Sequence, residues 1–361
     1  MDFERAGVSQ ADWKAATAGC FELRVRRMID ETSDARSIVL EIPPQLEERF
    51  RYRPGQFLSF KIPYQGAVLT RSYSLASSPH CDAEHKFTVK RIADGRISNW
   101  INDHVSVGDS LMVTPPAGCF VLDDGAREIV LFSGGSGITP VISIVKSALA
   151  TSLRRLKLVC ANRDERSIIF RAELEALARQ HPDRFEIVHS LDVRDGFLDA
   201  AGIKRLVGRA LEAEFYLCGP GAFMATVESA LLELGVPLER IHIERFSSPP
   251  DPGVTPLDAP DAADAQGETV PEKITIVLDG VVHEVAYQAG ERVLHAARRA
   301  GLNPPFSCEE GYCSCCMAKL ARGEVRMHAN DCLSPQLLAE GWVLTCQSRC
   351  VSREIRIEYP D

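Results

Sequence analysis

The sequence predicts a multidomain chain: an antiparallel β-barrel, then an α/β parallel-sheet domain, then a small mixed α+β domain. Three observations carry this. Short strand-like runs separated by Pro and Gly fill the segment before about residue 125. Strand and helix patterns then alternate up to about residue 246. A stretch rich in Pro, Asp, Ala and Gly, SSPPDPGVTPLDAPDAADAQGETV, separates these from the last 91 or so residues. The 361 residues are too many for one ordinary core and suit two or three domains. The expected division is 18–124, 125–247, a flexible linker over 248–270, and 271–361.

Each element follows from local pattern. FELRVRRMI, SIVLEI, GQFLSFKI, RSYSLAS, KFTVKRI and SLMVTPP read as the barrel strands. EIVLF leads into a helix from about Pro140 to Ala150, and LKLVCA into a helix over 171–180. RFEIVHS precedes a helix near 199–209, EFYLCGP precedes one over 221–234, and ERIHIERF closes the segment. Such β-α repeats imply a parallel sheet with ligand chemistry at the strands' C-terminal ends. In the last part, KITIVLDGVVHEVAY reads as two strands joined at Asp279-Gly280, a hairpin signal. GERVLHAARRAG reads as a helix ending at Gly301. The cysteine-rich loop, the segment MAKLARGEVRM, an irregular stretch to residue 345 and a final strand REIRIEY follow.

Composition excludes several classes. Hydrophobic residues make up 45% and charged residues 25%, a globular balance, and the net charge of −9 opposes a nucleic-acid binder. No apolar run approaches the roughly 18 residues of a membrane span. The polar start MDFERAGVSQADWKAA has no signal-peptide core, so a soluble, cytoplasmic chain with no membrane partner is expected. Twelve cysteines at this size fit metal ligation and buried thiols better than disulfides.

Four of those cysteines have a telling spacing. Cys308, Cys313 and Cys316 form C-x4-C-x2-C, and Cys346 follows after 29 residues. That is the ligand spacing of a plant-type [2Fe–2S] cluster, with three thiolates on one loop and a fourth from a distant strand. A structural zinc site, the plainer alternative, usually wants paired CxxC motifs, and only one is present. Cys315, beside the ligands, is out of register and reads as a bystander; Cys332 and Cys350 also lack the spacing. Gly311 gives the loop the pliability that wrapping a cluster needs.

Three further motifs have residue types suited to binding a ligand. Arg71-Ser72-Tyr73-Ser74 lies on a barrel strand. An arginine there can neutralise a diphosphate, a tyrosine ring can pack on an isoalloxazine, and a hydroxyl can bond its reactive edge. Phe132-Ser133-Gly134-Gly135-Ser136-Gly137-Ile138-Thr139-Pro140 follows a strand and opens a helix, where phosphate-binding turns sit. Cys218-Gly219-Pro220 ends another strand at the edge where ligands bind. Each has a plain structural reading alone: an alternating strand, a tight turn, a core cysteine.

Together these motifs resemble the ferredoxin–NADP+ reductase superfamily, and the domain order is similar to reductase components of multicomponent oxygenases. The resemblance covers nearly the whole chain except its first twenty residues and the linker. It implies FAD, a [2Fe–2S] cluster and NAD(P)H as cofactors, with a β-grasp fold for the last domain. It also implies further site residues. Val89, Lys90 and Arg91 match the strand whose backbone lines the flavin, and Gly95, Ile97, Ser98 and Asn99 match a helix start that takes its diphosphate and favours FAD over FMN. Thr139 and Phe246 match residues beside the flavin. Gly134, Gly135, Ser136, Gly137, Cys218, Gly219 and Pro220 match the nicotinamide-nucleotide turns. Glu244 with Phe246 matches an E-x-F ending. No side chain is expected to act as a covalent or acid–base catalyst; Ser74, Cys218 and Glu244 are expected to position hydride transfer.

After the second parallel strand, Arg163 and Arg166 suit a 2′-phosphate while Asp164 and Glu165 repel one. NADH is favoured, with NADPH left open. NRDERSIIFRAELEAL, FYLCGPGAFM and LTCQSR resemble the reductases of 3-ketosteroid 9α-hydroxylases, and those of phenylacetyl-CoA epoxidases are similar. The expected partner is a terminal oxygenase, Rieske-type first and diiron as the alternative. A flavin and cluster redox sensor without turnover is the reading from another class.

Overall fold

The computed structural model describes residues 3–246 and 271–360, apart from positions 303, 307, 308, 310, 312, 313, 331 and 334. The expected linker over 248–270 and the expected ligands Cys308 and Cys313 therefore lie outside the described residues. The chain divides into two compact units on either side of Phe246.

The first unit begins with a short helix, α1 (Gln10–Ala16), whose N-cap Ser9 accepts from the Asp12 amide at 3.1 Å. Six strands follow: β1 (Phe21–Thr32), β2 (Ala35–Glu41), β3 (Phe57–Tyr64), β4 (Ala67–Ser74), β5 (His85–Lys90) and, after helix α2 (Arg96–His104), β6 (Ser110–Val113). They form one antiparallel sheet in the order β4-β3-β6-β1-β2-β5. A bridge between Leu75 and Phe87 links the two outer strands just past the end of β4. Alternate side chains turn inward, as the two-residue period requires. Leu23 and Val25 of β1 meet Phe60 of β3 and Phe87 of β5 in the core, the two phenyl rings 4.5 Å apart.

The same unit then alternates strand and helix: β7 (Ile129–Gly134), α3 (Ile138–Thr151), β8 (Leu156–Asn162), α4 (Arg171–Gln180), β9 (Phe185–Leu191), α5 (Asp192–Asp195), α6 (Ala200–Val207), β10 (Glu214–Cys218), α7 (Gly221–Glu233) and β11 (Ile241–Glu244). The five strands are all parallel, in the order β11-β10-β7-β8-β9. Both faces are covered, so β7 is buried along its whole length. Ile129 and Leu131 pack with residues of α3 and α4, whereas Val130 and Phe132 pack with those of α6 and α7. The chain leaves β7 toward β8 on one side and returns as β10 on the other. The crevice at the C-terminal ends of β7 and β10 is thus the topological switch point, where open α/β sheets take ligands.

The second unit holds β12 (Lys273–Leu278), β13 (Val281–Ala286), α8 (Val293–Arg299), β14 (Met317–Arg322), β15 (Val325–Met327), α9 (Pro335–Ala339), β16 (Trp342–Leu344), β17 (Ser348–Cys350) and β18 (Arg356–Glu358). The mixed sheet runs β13-β12-β18-β14-β16, with β12 and β18 parallel, and β15 pairs with β17. Asp279 and Gly280 both have positive φ (51° and 71°), as the expected Asp-Gly hairpin requires. Val293, Ala296 and Ala297 of α8 pack on Ile276 and Ile357 of the sheet.

Three departures from the sequence expectations have simple causes. The helix expected from Pro140 starts at Ile138, because proline is tolerated in a first turn where its missing N–H has no partner to lose. The expected 199–209 helix stops at Val207, where Gly208 turns to φ 57°. The stretch from 328 to 345 is less irregular than expected, since α9 and β16 lie in it. Elements of three to five residues are too short to show a hydrophobic period.

Candidate functional site

The two turns at the switch point meet backbone to backbone. A Cβ on Gly137 would stand 2.1 Å from the Cys218 carbonyl oxygen, one on Gly134 2.7 Å from Pro220 Cδ, and one on Gly219 2.9 Å from the Gly134 nitrogen. Glycine is demanded at these positions by contact, and Gly135 is held at φ 53° besides. Ser136 and Thr139 complete the turn, the Thr139 hydroxyl donating to the Ser136 carbonyl at 3.0 Å.

Cys218 is fully buried at the end of β10 and pairs in register with Glu244 on β11. Burial pushes its thiol well above the ordinary value, and the Glu244 carboxylate adds to the rise. A thiol so placed favours its protonated form, which is the unreactive one. Phe246, two residues beyond Glu244, is 41% exposed.

The Arg71–Ser74 motif occupies the last half of β4, whose side chains are half-buried up to Tyr73. Arg71 Nη1 donates to the Thr70 carbonyl at 2.7 Å, and the Ser72 and Ser59 hydroxyls lie 2.8 Å apart. The Tyr73 ring packs at a tilt on Phe60 and Phe87, and burial raises its phenol. Ser74 is different. It is 2% exposed, and its Oγ has no hydrogen-bond partner among the described residues. A buried hydroxyl left bare is costly, so the position suits a polar group of a bound ligand. This fits a flavin edge.

Strand β5 brings a cation to the same place. A Cβ on Gly135 would lie 3.7 Å from Lys90 Nζ, which also stands 3.8 Å from Asp34 Oδ2. Val89 is buried, and Arg91 reaches Asp103 at 2.6 Å instead of the turn. At the start of α2, Gly95 is the N-cap and supplies no side-chain cap to the first amides of the helix. Ile97 is core. The Ser98 hydroxyl accepts from the Ile92 amide at 3.3 Å, and Asn99 Nδ2 donates to the Ile92 carbonyl at 3.1 Å, so both side chains tie down the entering turn. A helix start without a side-chain cap suits a diphosphate.

Arg163 and Arg166 lie just past β8, and both are exposed. Arg163 reaches the adjacent Asp164 at 3.0 Å, and Asp164 also caps the turn through the Ser167 amide. Glu165 is taken by Arg171 at 3.1 Å. Both acids of this turn therefore have partners.

In the second unit, strand pairing delivers two of the four expected thiols to one place. Met317 of β14 lies opposite Leu344 of β16, so Cys316 just before one strand and Cys346 just after the other converge across 29 intervening residues. Both are buried, beside Leu294, Leu333 and Leu344. Thr345 anchors the pairing, its amide and hydroxyl both donating to the Cys316 carbonyl at 3.2 and 3.0 Å. Gly311 takes φ 90° with the Ala329 carbonyl and Gln347 Cγ each 3.0 Å from where a Cβ would be. Soft thiols, shielded from water and reached by an amide donor, fit an iron–sulfur cluster.

Sequence reasoning missed the groups that orient these thiols. Gln347 Nε2 lies 3.7 Å from the Cys346 sulfur and donates to the Glu309 carbonyl at 2.8 Å. Arg292, 3% exposed, donates from Nη1 to the Cys346 carbonyl at 2.8 Å. Gln347 could have been suspected from its place beside Cys346; nothing local marks Arg292, which reads as an ordinary helix-entry arginine.

Comparison with known proteins agrees with this layout. Residues 22–122 match the oxidoreductase FAD-binding domain, 131–229 the oxidoreductase NAD-binding domain, and 276–351 the 2Fe-2S iron-sulfur cluster binding domain. The chain is 41% identical over 342 residues to the 3-ketosteroid-9-alpha-monooxygenase ferredoxin reductase component of Rhodococcus rhodochrous, spanning 93% of this chain and 96% of that one. It is 32% identical to a component of the 1,2-phenylacetyl-CoA epoxidase of Escherichia coli K12, spanning 93% and 97%. Among solved structures it resembles phthalate dioxygenase reductase, described as a modular structure for electron transfer from pyridine nucleotides to [2Fe–2S]. The TM-score is 0.60 at 26% identity, over 95% of this chain and 99% of that one. The chain therefore belongs to the family of oxygenase reductase components, oxidoreductases whose FAD-binding, NAD-binding and 2Fe-2S domains carry electrons from NAD(P)H through FAD to the cluster.

Proposed function

We propose that this chain is the NADH-dependent reductase of a terminal oxygenase, with the Rieske-type ketosteroid hydroxylase class favoured. Similarity over 96% of a ketosteroid monooxygenase reductase supports that partner, and the weaker similarity to an epoxidase component supports the diiron alternative. The observation that carries the flavin–nicotinamide half is the bare, buried Ser74 hydroxyl at the end of the Arg71–Ser74 strand.

When bound, FAD accepts a two-electron hydride and releases electrons singly, which suits it to feed a one-electron [2Fe–2S] cluster. The chain's own residues do the rest. Ser74 supplies a hydrogen bond to the flavin edge, Tyr73 a ring to pack on, and Arg71 a charge for the diphosphate. The backbone of Val89, Lys90 and Arg91 lines the flavin, while Gly95, Ile97, Ser98 and Asn99 present the helix start to the diphosphate. Thr139 and Phe246 border the ring. Gly134, Gly135, Ser136 and Gly137, with Cys218, Gly219 and Pro220, seat the nicotinamide nucleotide and keep water from it. Glu244 acts through Cys218, whose thiol it helps keep neutral. Cys308, Cys313, Cys316 and Cys346 hold the cluster.

Asp164 and Glu165 support NADH, although Arg163 and Arg166 lie in the same turn. We read the six-stranded sheet as a barrel, on the strength of the Leu75–Phe87 bridge, and the mixed sheet with α8 as a β-grasp domain. The domain limits follow as 18–124, 125–247, linker 248–270 and 271–361. Buried thiols such as Cys160 and Cys350 fit a reducing cytoplasm. Among the described residues, no helix is long and apolar enough to cross a membrane.

Reconstitution tests the partner. Purified chain should support NADH-dependent turnover by a ketosteroid monooxygenase oxygenase and give a larger kcat/KM for NADH than for NADPH. Coupling to a diiron epoxidase alone would favour the alternative. Negligible NAD(P)H oxidation with every acceptor would favour a redox sensor.

A further inference from the structure

Helix α3 begins at the Gly134–Gly137 turn and is apolar along most of its length, yet it carries a polar stripe. Ser143, Lys146 and Ser147 share one face at i, i+3 and i+4, and they are 0%, 8% and 0% exposed. Buried polar groups need partners. Here the partners come from the segment that continues the Arg71–Ser74 strand. The Ser143 hydroxyl donates to the Ser77 carbonyl at 2.6 Å, and the Ser147 and Ser78 hydroxyls lie 2.7 Å apart. Lys146 Nζ stands 2.7 Å from Asp82 Oδ2 and also contacts Glu173 of α4. Glu173 in turn holds Lys86 of β5 at 3.0 Å. Carboxylate and ammonium alternate, Asp82–Lys146–Glu173–Lys86, and each lobe contributes one of each.

The clasp is placed where it can set a distance. Ser77 is three residues beyond Ser74. Ser143 is about one helical turn beyond Thr139. The clasp thus joins the flavin motif's strand to the nucleotide turn's helix within a few residues of both. An apolar face would tolerate sliding of the helix, whereas directional hydrogen bonds among buried partners favour one register.

Resting on the hydride-transfer reading above, we propose that the polar face of α3 and its partners on 77–86 and Glu173 are a positioning device. They hold the nicotinamide turn in register with the flavin strand. Lys146 is its central positioning residue, acting through Asp82 and Glu173. A misplacement of about 1 Å can cost as much as 100-fold in rate, so the device acts on kcat more than on affinity.

The test uses the full-length, cofactor-loaded protein and its flavin-free form. Lys146→Met should lower the limiting rate of flavin reduction by NADH about 10- to 100-fold, leaving FAD content and NADH affinity within about twofold. Lys146→Arg should restore most of the rate. In the flavin-free protein, hydrogen exchange of 76–86 and 138–151 should quicken in Lys146→Met with little change in melting temperature. Ser147→Ala, a milder cut, should show the same pattern at smaller size if Lys146→Met folds poorly. Unchanged rate and exchange in both variants would overturn the proposal. So would a rate loss that merely tracks FAD loss or melting. If wild-type chain itself fails to oxidise NADH, the hydride reading falls and takes the proposal with it; normal wild-type turnover with indifferent variants sinks the clasp alone.

Discussion

Cys218 and Cys346 are both buried cysteines beside strand ends, one in each unit, and their surroundings differ. Cys218 lies against the Gly137 turn with Glu244 as its register neighbour, and burial and that carboxylate together hold it as a neutral thiol. Cys346 has an amide donor 3.7 Å from its sulfur and a buried arginine on its carbonyl, and Cys316 is brought close by strand pairing. Burial alone makes a cysteine inert; donors and positive charge around it are what suit it to ligation. The first surface can seat a ring without reacting with it. The second can hold a metal cluster.

Substitution at the two cysteines should separate them most sharply. Cys346→Ala should abolish the visible cluster bands and reduce cluster-dependent cytochrome c reduction to background, with FAD retained. Full retention of the bands would remove Cys346 from the ligand set. Gly137→Ala comes next, because its Cβ would meet the Cys218 carbonyl at 2.1 Å. Overpacking of that kind costs about 1–3 kcal/mol, and we expect a matching fall in thermal stability and at least a roughly tenfold loss in kcat/KM for NADH. Normal kinetics would show that the two turns need not touch. Ser74→Ala removes one hydrogen bond, worth about 1 kcal/mol, and should slow flavin reduction several-fold without changing the cluster spectrum. An unchanged rate would mean that Ser74 meets no flavin atom.

Cys218→Ala should have the smallest effect, a few-fold change in NADH kinetics. In the native protein its thiol should resist iodoacetamide even at pH 9, near the ordinary thiol value, because its folded pKa lies well above it. Denatured protein should label there readily. Labelling of Cys218 in the native state would contradict the dry, neutral environment assigned to it.

The parts legible in the sequence are those whose chemistry is local. Arg71–Ser74, the Gly134–Gly137 turn and the cysteine spacing each lie within one segment or obey a fixed interval, and the Asp279-Gly280 turn announces its own backbone angles. The clasp on α3 was not legible. Ser143, Lys146 and Ser147 look like an ordinary break in an apolar helix, and their partners Asp82 and Glu173 lie 64 and 27 residues from Lys146. Arg292 was hidden for the same reason, since the carbonyl it holds is 54 residues away. Long-range pairing decides what those residues do, and one-dimensional spacing does not record it.

Anaerobic titration with NADH, followed by absorbance and EPR on the same sample, tests the central claim most directly. The flavin band should bleach and a reduced [2Fe–2S] EPR signal should grow with it in wild-type protein. In Cys346→Ala the flavin should bleach with no such signal. A wild-type chain whose flavin bleaches while no cluster signal ever appears would contradict the account.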